Sequence, residues 1–174
     1  MIRVLAGKYK GRKLSLANAP NMRPTLSRVK KSIFDSLGSL EGLSVLDLFS
    51  GVGTLAVESL SRGAEEVVCI ERNKKVFSAL SENINQICVG QNIIAYKMDV
   101  EVFLKKNFLD KKFDVIFADP PYSYCNYIDL FDASKNYLNS KGILCFEMRK
   151  AKVNIENVKI KEIGRTQVVY WRLK

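Results

Sequence analysis

From residue 43 onward one unit repeats: an apolar run of six or seven residues, a turn, and a stretch whose apolar positions fall at helical spacing. LSVLDLF (43–49) stops at Ser50-Gly51-Val52-Gly53 and passes into TLAVESLSR (54–62). EEVVCIE (65–71) passes into NKKVFSALSENINQI (73–87), where Val76, Phe77, Leu80, Ile84 and Ile87 share a face. NIIAYKM (92–98) leads into DVEVFLKK, and FDVIFA (113–118) leads through DPPYSY into YIDLFDASKNYL (127–138). GILCFEM (142–148) supplies a fifth strand. Apolar strands separated by helices predict an α/β fold, a doubly wound parallel sheet with helices on both faces.

Two segments break the alternation. VKIKEIG (158–164) and TQVVYWRL (166–173) read as an antiparallel hairpin across Gly164-Arg165, added to the sheet edge to give seven strands. IRVLAG and GRKLSL, around Lys8-Tyr9-Lys10, read as a second hairpin at the N-terminus. After Pro20 and Pro24 a helix is expected from near Thr25, with Thr25 as N-cap and Leu26, Val29, Ile33, Phe34 and Leu37 inward. The length of 174 residues suits a single domain, with 1–24 as basic hairpin and connecting segment and 25–174 as the core.

Charge is distributed unevenly. Residues 1–34 hold nine cations (Arg3, Lys8, Lys10, Arg12, Lys13, Arg23, Arg28, Lys30, Lys31) and no acid; 35–148 hold 11 basic and 16 acidic residues; 149–174 hold eight and two. A segment with nine cations and no counter-charge reads as a footprint for a polyanion, foremost nucleic acid, with a solubilising surface as the alternative. No His is present, and no pair among Cys69, Cys88, Cys125 and Cys145 is close in sequence, so no metal site is expected. No window approaches the roughly 18 uninterrupted apolar residues of a spanning helix, so no membrane partner is expected, and the four well-spaced cysteines suit a reducing cytoplasm.

The chemistry-bearing residues sit where strands end. Asp47-Leu48-Phe49-Ser50-Gly51-Val52-Gly53 joins a strand to a helix, and its glycines allow a ligand close to the backbone. A third glycine of the dinucleotide fingerprint is missing, and Asp47 would repel a pyrophosphate, so a cationic ligand is favoured. Glu71 closes the second strand, where an acid takes ribose hydroxyls, and Met98-Asp99 closes the third. Each acid alone reads equally as an N-cap; three at successive strand ends favour a ligand. In Asp119-Pro120-Pro121-Tyr122 two prolines stiffen the turn, presenting a carboxylate, a carbonyl and an aromatic ring to a planar amine.

The run DLFSGVGTLAVESLSRGA, the acid of IERN, MD at 98–99 and ADPPY, in this order, resemble the class I S-adenosylmethionine-dependent amino-methyltransferases. With IRVLAGKYKGRKL, RPTLSRVKKSIFDSL (23–37) and GRTQVVYW added, the chain resembles the bacterial 16S rRNA guanine-N2 methyltransferase family almost end to end. That resemblance implies a Rossmann-like methyltransferase fold, S-adenosyl-L-methionine as cofactor, and a monomer acting on 16S rRNA or the small ribosomal subunit. By position it places Asp47, Phe49, Gly51 and Gly53 at the methionine moiety. Glu71 with Arg72 falls at the ribose, Asp99 with Val100 at the adenine, and Asp119 at both cofactor and target. Asp119, Pro120, Pro121 and Tyr122 would be the catalytic set. Arg3, Lys8, Lys10, Arg12, Lys13, Arg23, Thr25 and Arg28 would contact RNA, Thr25 reading equally as a plain N-cap. Two other functions stay open, a DNA adenine-N6 methyltransferase and a noncatalytic rRNA-binding assembly factor. The acceptor-only Asp119 suits the all-donor edge of guanine better than that of adenine.

Overall fold

The computed structural model describes residues 2–17, 27–106, 108–121, 123–124 and 126–173. In chain order the elements are β1 (Ile2–Arg3), β2 (Lys13–Leu14), α1 (Ser27–Leu37), β3 (Ser44–Leu48), α2 (Thr54–Ser61), β4 (Glu66–Ile70) and α3 (Lys74–Ile87). There follow β5 (Asn92–Tyr96), α4 (Val100–Lys105), β6 (Phe113–Ala118), α5 (Tyr127–Lys135), β7 (Leu138–Arg149), β8 (Val158–Ile163) and β9 (Thr166–Arg172). Seven strands form one sheet in the order β5-β4-β3-β6-β7-β9-β8. The first five run parallel, because the helical connections between them bring the chain back to the same end of the sheet each time. β9 is antiparallel to both neighbours, so the later strand of the closing hairpin docks on β7 and the earlier one lies outermost.

Two apolar layers cover the sheet. One packs α1, α2, α3 and the N-terminal hairpin around Val45, Val67, Val115 and Cys145; the other packs α4 and α5 around Leu46, Ile116, Leu144 and Phe146. Alternate residues of each strand thus serve opposite layers, as the pleat demands. The expected elements stand within a few residues of their places, with one difference: Leu138, read as the end of a helix, opens β7 and pairs with Phe113. The expected N-cap Thr25 and Leu26 fall outside the described residues.

The N-terminal hairpin, set apart from the 25–174 core in the sequence reading, packs into the core layer. Ile2, Val4 and Leu14 belong to the core layer, and α2 is buried on every side, including Glu58, Ser59 and Ser61. A helix buried all round must have its polar groups answered from outside itself. The hairpin answers them: Leu5 and Ala6 N–H donate to the two Glu58 oxygens at 2.8 and 3.0 Å, Tyr9 N–H donates to Ser61 Oγ, and Ser61 Oγ donates to the Ala6 carbonyl. Lys30 completes the arrangement from α1, its ammonium 2.9 Å from Glu58 and 2.8 Å from the Arg3 carbonyl. Lys30 is 1% exposed and therefore leaves the polyanion footprint in which its sequence neighbourhood had placed it.

Candidate active site at the carboxyl rim

All five parallel strands point their carboxyl ends the same way, and the β3–α2, β4–α3, β5–α4 and β6–α5 loops gather there. At the end of β3, Asp47 is 1% exposed and its Oδ2 has no hydrogen-bond partner among the described residues. Burial pushes its carboxyl well above the usual aspartate range, with the charge of Asp119 adding to it, the Ala56 N–H opposing, and Glu71 contributing a further upward push. Asp47, Asp119 and Glu71, far apart in sequence, are thus close enough to repel one another. A buried acceptor with no partner among the described residues, beside two more acids, is a site for a cation or a set of donors.

The glycine loop is built to leave room. Phe49 and Gly51 sit at φ 62° and 56°, and a Cβ at Gly51 would meet nothing within 4 Å. Gly53, at φ 87°, has the opposite problem: a Cβ there would lie 2.7 Å from Leu80 of α3, so the second glycine serves packing and the first leaves space for a ligand. The loop is pinned from two sides by residues that the sequence reading did not single out. Ser50 Oγ donates to the Asp47 carbonyl at 2.6 Å and accepts from Ile70 N–H at 3.0 Å, stitching the ends of β3 and β4. Asn83, fully buried on α3, donates to the Val52 carbonyl and to the Ser15 carbonyl, and accepts from Ser15 N–H. Its signal was available: a polar residue inside the apolar stripe Val76, Leu80, Ile87.

Glu71 accepts from Gly51 N–H at 3.1 Å and Asn73 N–H at 2.7 Å. Burial raises its carboxyl above the usual range against these two bonds and Arg72. The N-cap of α3 is Asn73, so Glu71 is not consumed as a helix cap. Asp99 is: it caps α4 through Glu101 N–H at 2.9 Å and pairs with Arg72 at 3.1 Å on an exposed surface. Val100 turns its side chain into the second core layer. Asp119 and Pro120 lie at the end of β6, Pro120 buried and Pro121 exposed, with Tyr124 N–H donating to the Pro121 carbonyl at 2.8 Å. Tyr122, Arg23 and Thr25 lie outside the described residues.

A chain of aromatic rings crosses the rim. Phe49 meets Tyr124 at 5.8 Å, Tyr124 meets Tyr127 at 5.7 Å, and Tyr127 meets Phe146 at 5.8 Å, all edge to face. Tyr124 also donates to Glu101 at 3.2 Å; burial first, then the Glu101 charge, push its phenol up to about 12. The hairpin cations lie elsewhere. Lys8 N–H donates to the carbonyl of Ser61, at the far end of α2, and the Lys8 ammonium reaches Gln91, just before β5. Arg12 donates to the Gln86 carbonyl and Arg3 to that of Gly11. The hairpin tip is therefore at the amino ends of the strands, opposite the acids, while Arg28 in the first turn of α1 lies against Gly164 at the rim.

A sheet of this order, with one inserted antiparallel strand and acids at the carboxyl ends of β3, β4 and β6, defines the class I methyltransferases, whose cofactor is S-adenosylmethionine. The open Asp47 oxygen, the uncrowded Gly51 and the uncapped role of Glu71 fit that group: a cationic amine, a close backbone and ribose hydroxyls. The chain belongs to the family described as conserved hypothetical protein 95, whose model matches residues 2–172, and it is similar to proteins named ribosomal RNA small subunit methyltransferase D. That protein of Haemophilus influenzae is 32% identical over 179 residues, 99% of this chain and 92% of the relative. Its namesake from Buchnera aphidicola is 36% identical over 122 residues, 70% of this chain and 63% of the relative. A hypothetical protein of Thermus thermophilus shares 25% identity and a TM-score of 0.82, over 98% of each chain.

Proposed function

We propose that the protein transfers a methyl group from S-adenosylmethionine to small-subunit ribosomal RNA, and that the acceptor is the exocyclic N2 amine of a guanine. The observation that carries this reading is the convergence of Asp47, Glu71 and Asp119 at the ends of three adjacent strands, beside a proline-stiffened loop. Asp47 would hold the amino cation of the methionine moiety, Glu71 the ribose hydroxyls, and the Asp99–Val100 turn the adenine. The bound cofactor supplies a methyl group already activated on a sulfonium. Asp119 and the Pro120 carbonyl would accept the two N–H bonds of the target amine, holding its lone pair out of ring conjugation and in line for attack; the N–C bond would form as the sulfonium S–C bond breaks, and the methylated nitrogen would lose one proton through Asp119 to solvent. No strong base is required, which suits a chain without histidine. Tyr122 would stack on the base. The cations Arg3, Lys8, Lys10, Arg12, Lys13, Arg23 and Arg28 would supply long-range attraction to the phosphate backbone.

The test is nucleoside mass mapping of small-subunit rRNA after incubation with the protein and cofactor. N2-methylguanine at one position is expected. An RNA carrying inosine there, which lacks the N2 amine and keeps N1–H, should bind and remain unmethylated. A methylated inosine would move the nucleophile to a ring atom and end the guanine-N2 assignment. Cofactor binding without methylation of any rRNA or DNA substrate would leave the assembly-factor function standing.

A further inference from the structure

The basic C-terminal segment has no role in the chemistry above, yet the fold carries part of it to the same rim. β9 is antiparallel to β7 and pairs Thr166 with Arg149, so the Gly164-Arg165 turn lies at the carboxyl end of the sheet. Lys150 N–H donates to the Arg165 carbonyl at 3.4 Å, and the Arg28 guanidinium packs where a Cβ of Gly164 would stand. Three separate segments thus bring Arg28, Arg149, Lys150, Lys152 and Arg165 together, all exposed, with Glu162 as the acid paired to Lys150. Next to this arc, between the start of α5 and residues 151–155, is a cavity of about 460 Å³. Tyr127, Phe146 and Met148 form its apolar wall, and Asn126, Lys152 and Asn154 contribute polar atoms. Asp47, Asp119 and Pro120 do not line it, so it is a chamber beside the amine-binding loop and not that loop itself. Tyr127 and Phe146 are the last two rings of the aromatic chain that begins at the glycine loop.

We propose that the cavity and the arc together seat a second nucleotide of the substrate RNA, in a single-stranded stretch next to the methylated one. The base enters the apolar cavity and its phosphates meet Lys152, Arg149 and Arg165. A volume in the roughly 300–1,000 Å³ range of small-ligand sites accommodates a base. Only an unpaired, unstacked nucleotide can turn its ring into such a chamber, and phosphates are the anions that a base so placed brings to the adjoining arc. This seat rests on the RNA reading above and deepens it. The hairpin cations at the opposite end of the strands attract RNA without selecting the nucleotide that enters.

Two variants separate the parts of the seat. Lys152→Glu with Arg165→Glu reverses the arc, and Ala151→Trp, at an exposed residue on the cavity wall, obstructs the chamber without changing charge. Each is compared with the parent for affinity to a short single-stranded RNA and to its duplex, for KM and kcat on small-subunit rRNA, for cofactor affinity and for melting temperature. Arc reversal should weaken single-strand binding by about tenfold or more and lower its salt dependence by about two phosphates. Ala151→Trp should raise KM for rRNA about fivefold or more and weaken single-strand but not duplex binding, with kcat and cofactor affinity unchanged. Equal single-strand affinity in parent and both variants would overturn the proposal. So would equal losses on single strand and duplex from Ala151→Trp, which would leave a charged surface with no base seat. A parent that binds the single strand but methylates no rRNA would remove the substrate reading while the binding comparison still decides the seat.

Discussion

Two buried carboxylates, Asp47 on β3 and Glu58 on α2, lie in the same core layer's neighbourhood and have opposite fates. Glu58 is completely answered: two backbone N–H groups, Lys30 and Arg62 surround it. Burial pushes its carboxyl up, but Leu5 N–H, Lys30 and Arg62 together outweigh burial and hold it below the usual glutamate range. Asp47 has an open oxygen and two acids for company, and its carboxyl is pushed up. Burial alone therefore does not distinguish structure from function here. The difference is whether the fold supplies partners, and it teaches that the hairpin seat is a finished structural joint whereas the rim is finished only by a ligand.

The strongest way to break the comparison is Lys30→Met. It leaves Glu58 buried beside one cation in place of two, and removing one partner of a buried pair costs about 3–5 kcal/mol. Urea unfolding should show that loss, while the folded protein keeps its cofactor affinity. Because the folded Glu58 value is depressed, its contribution is present above the ordinary 4.5 and disappears as pH falls through the folded value. The protection of the Leu5 and Ala6 amides, relative to their intrinsic exchange at each pH, should fall over that acidic window. Wild-type stability in Lys30→Met would make the joint dispensable and Lys30 a surface cation after all.

At the rim, Asp119→Ala should leave folding and cofactor affinity nearly intact and lower kcat by about 10²–10³-fold, the scale of losing one preorganised transition-state partner. A variant that lost cofactor and turnover equally would assign Asp119 to the cofactor alone. Glu71→Ala comes next, with cofactor binding weaker by about 1–3 kcal/mol in calorimetry. It also frees the N–H groups of Gly51 and Asn73, so the unliganded melting temperature is the control that separates ribose binding from loop support.

The alternation of strands and helices was legible because periodicity and turn residues report local geometry, and the rim acids were legible because parallel strands place every carboxyl end on one side. The joint was not. Lys30 stands between Val29 and Lys31 as one more cation, and only the tertiary fold brings Glu58, 28 residues on, against it. For the same reason the hairpin read as separate from the core: local charge says nothing about Ile2, Val4 and Leu14 joining the core layer, or about the hairpin backbone bonding Glu58 and Ser61 of α2. Asp99 was legible as an acid at a strand end, but its bonds to the Glu101 N–H and to Arg72 were not. Tyr124 and Tyr127 were visible in YSYCNY as aromatics, but their alignment with Phe49 and Phe146 depends on three different loops.

The smallest expected effect on stability is the one that most sharpens the contrast, and its sign is unusual. Asp47→Asn should abolish cofactor binding yet stabilise the unliganded protein, by about 0.5–2 kcal/mol, the gain commonly obtained when an unfavourable functional group is neutralised. Proton linkage sets that sign. The folded Asp47 value is raised above the ordinary 3.8, so in the interval between the two the native state holds a proton that the unfolded chain has released. Stability attributable to Asp47 therefore falls as pH rises through that interval and stays low above it. The amide cannot ionise, so the variant escapes this loss and carries no charge to be repelled by Asp119 and Glu71. The advantage of Asp47→Asn in denaturant melts should be small near pH 3, grow with pH, and level off once the parent carboxyl is ionised. Glu58→Gln, at the joint, should show the reverse, a penalty that grows as pH rises through the acidic range. If Asp47→Asn were instead destabilising at every pH, the open oxygen would have a structural partner in solution, and the rim would be as complete without a ligand as the hairpin seat.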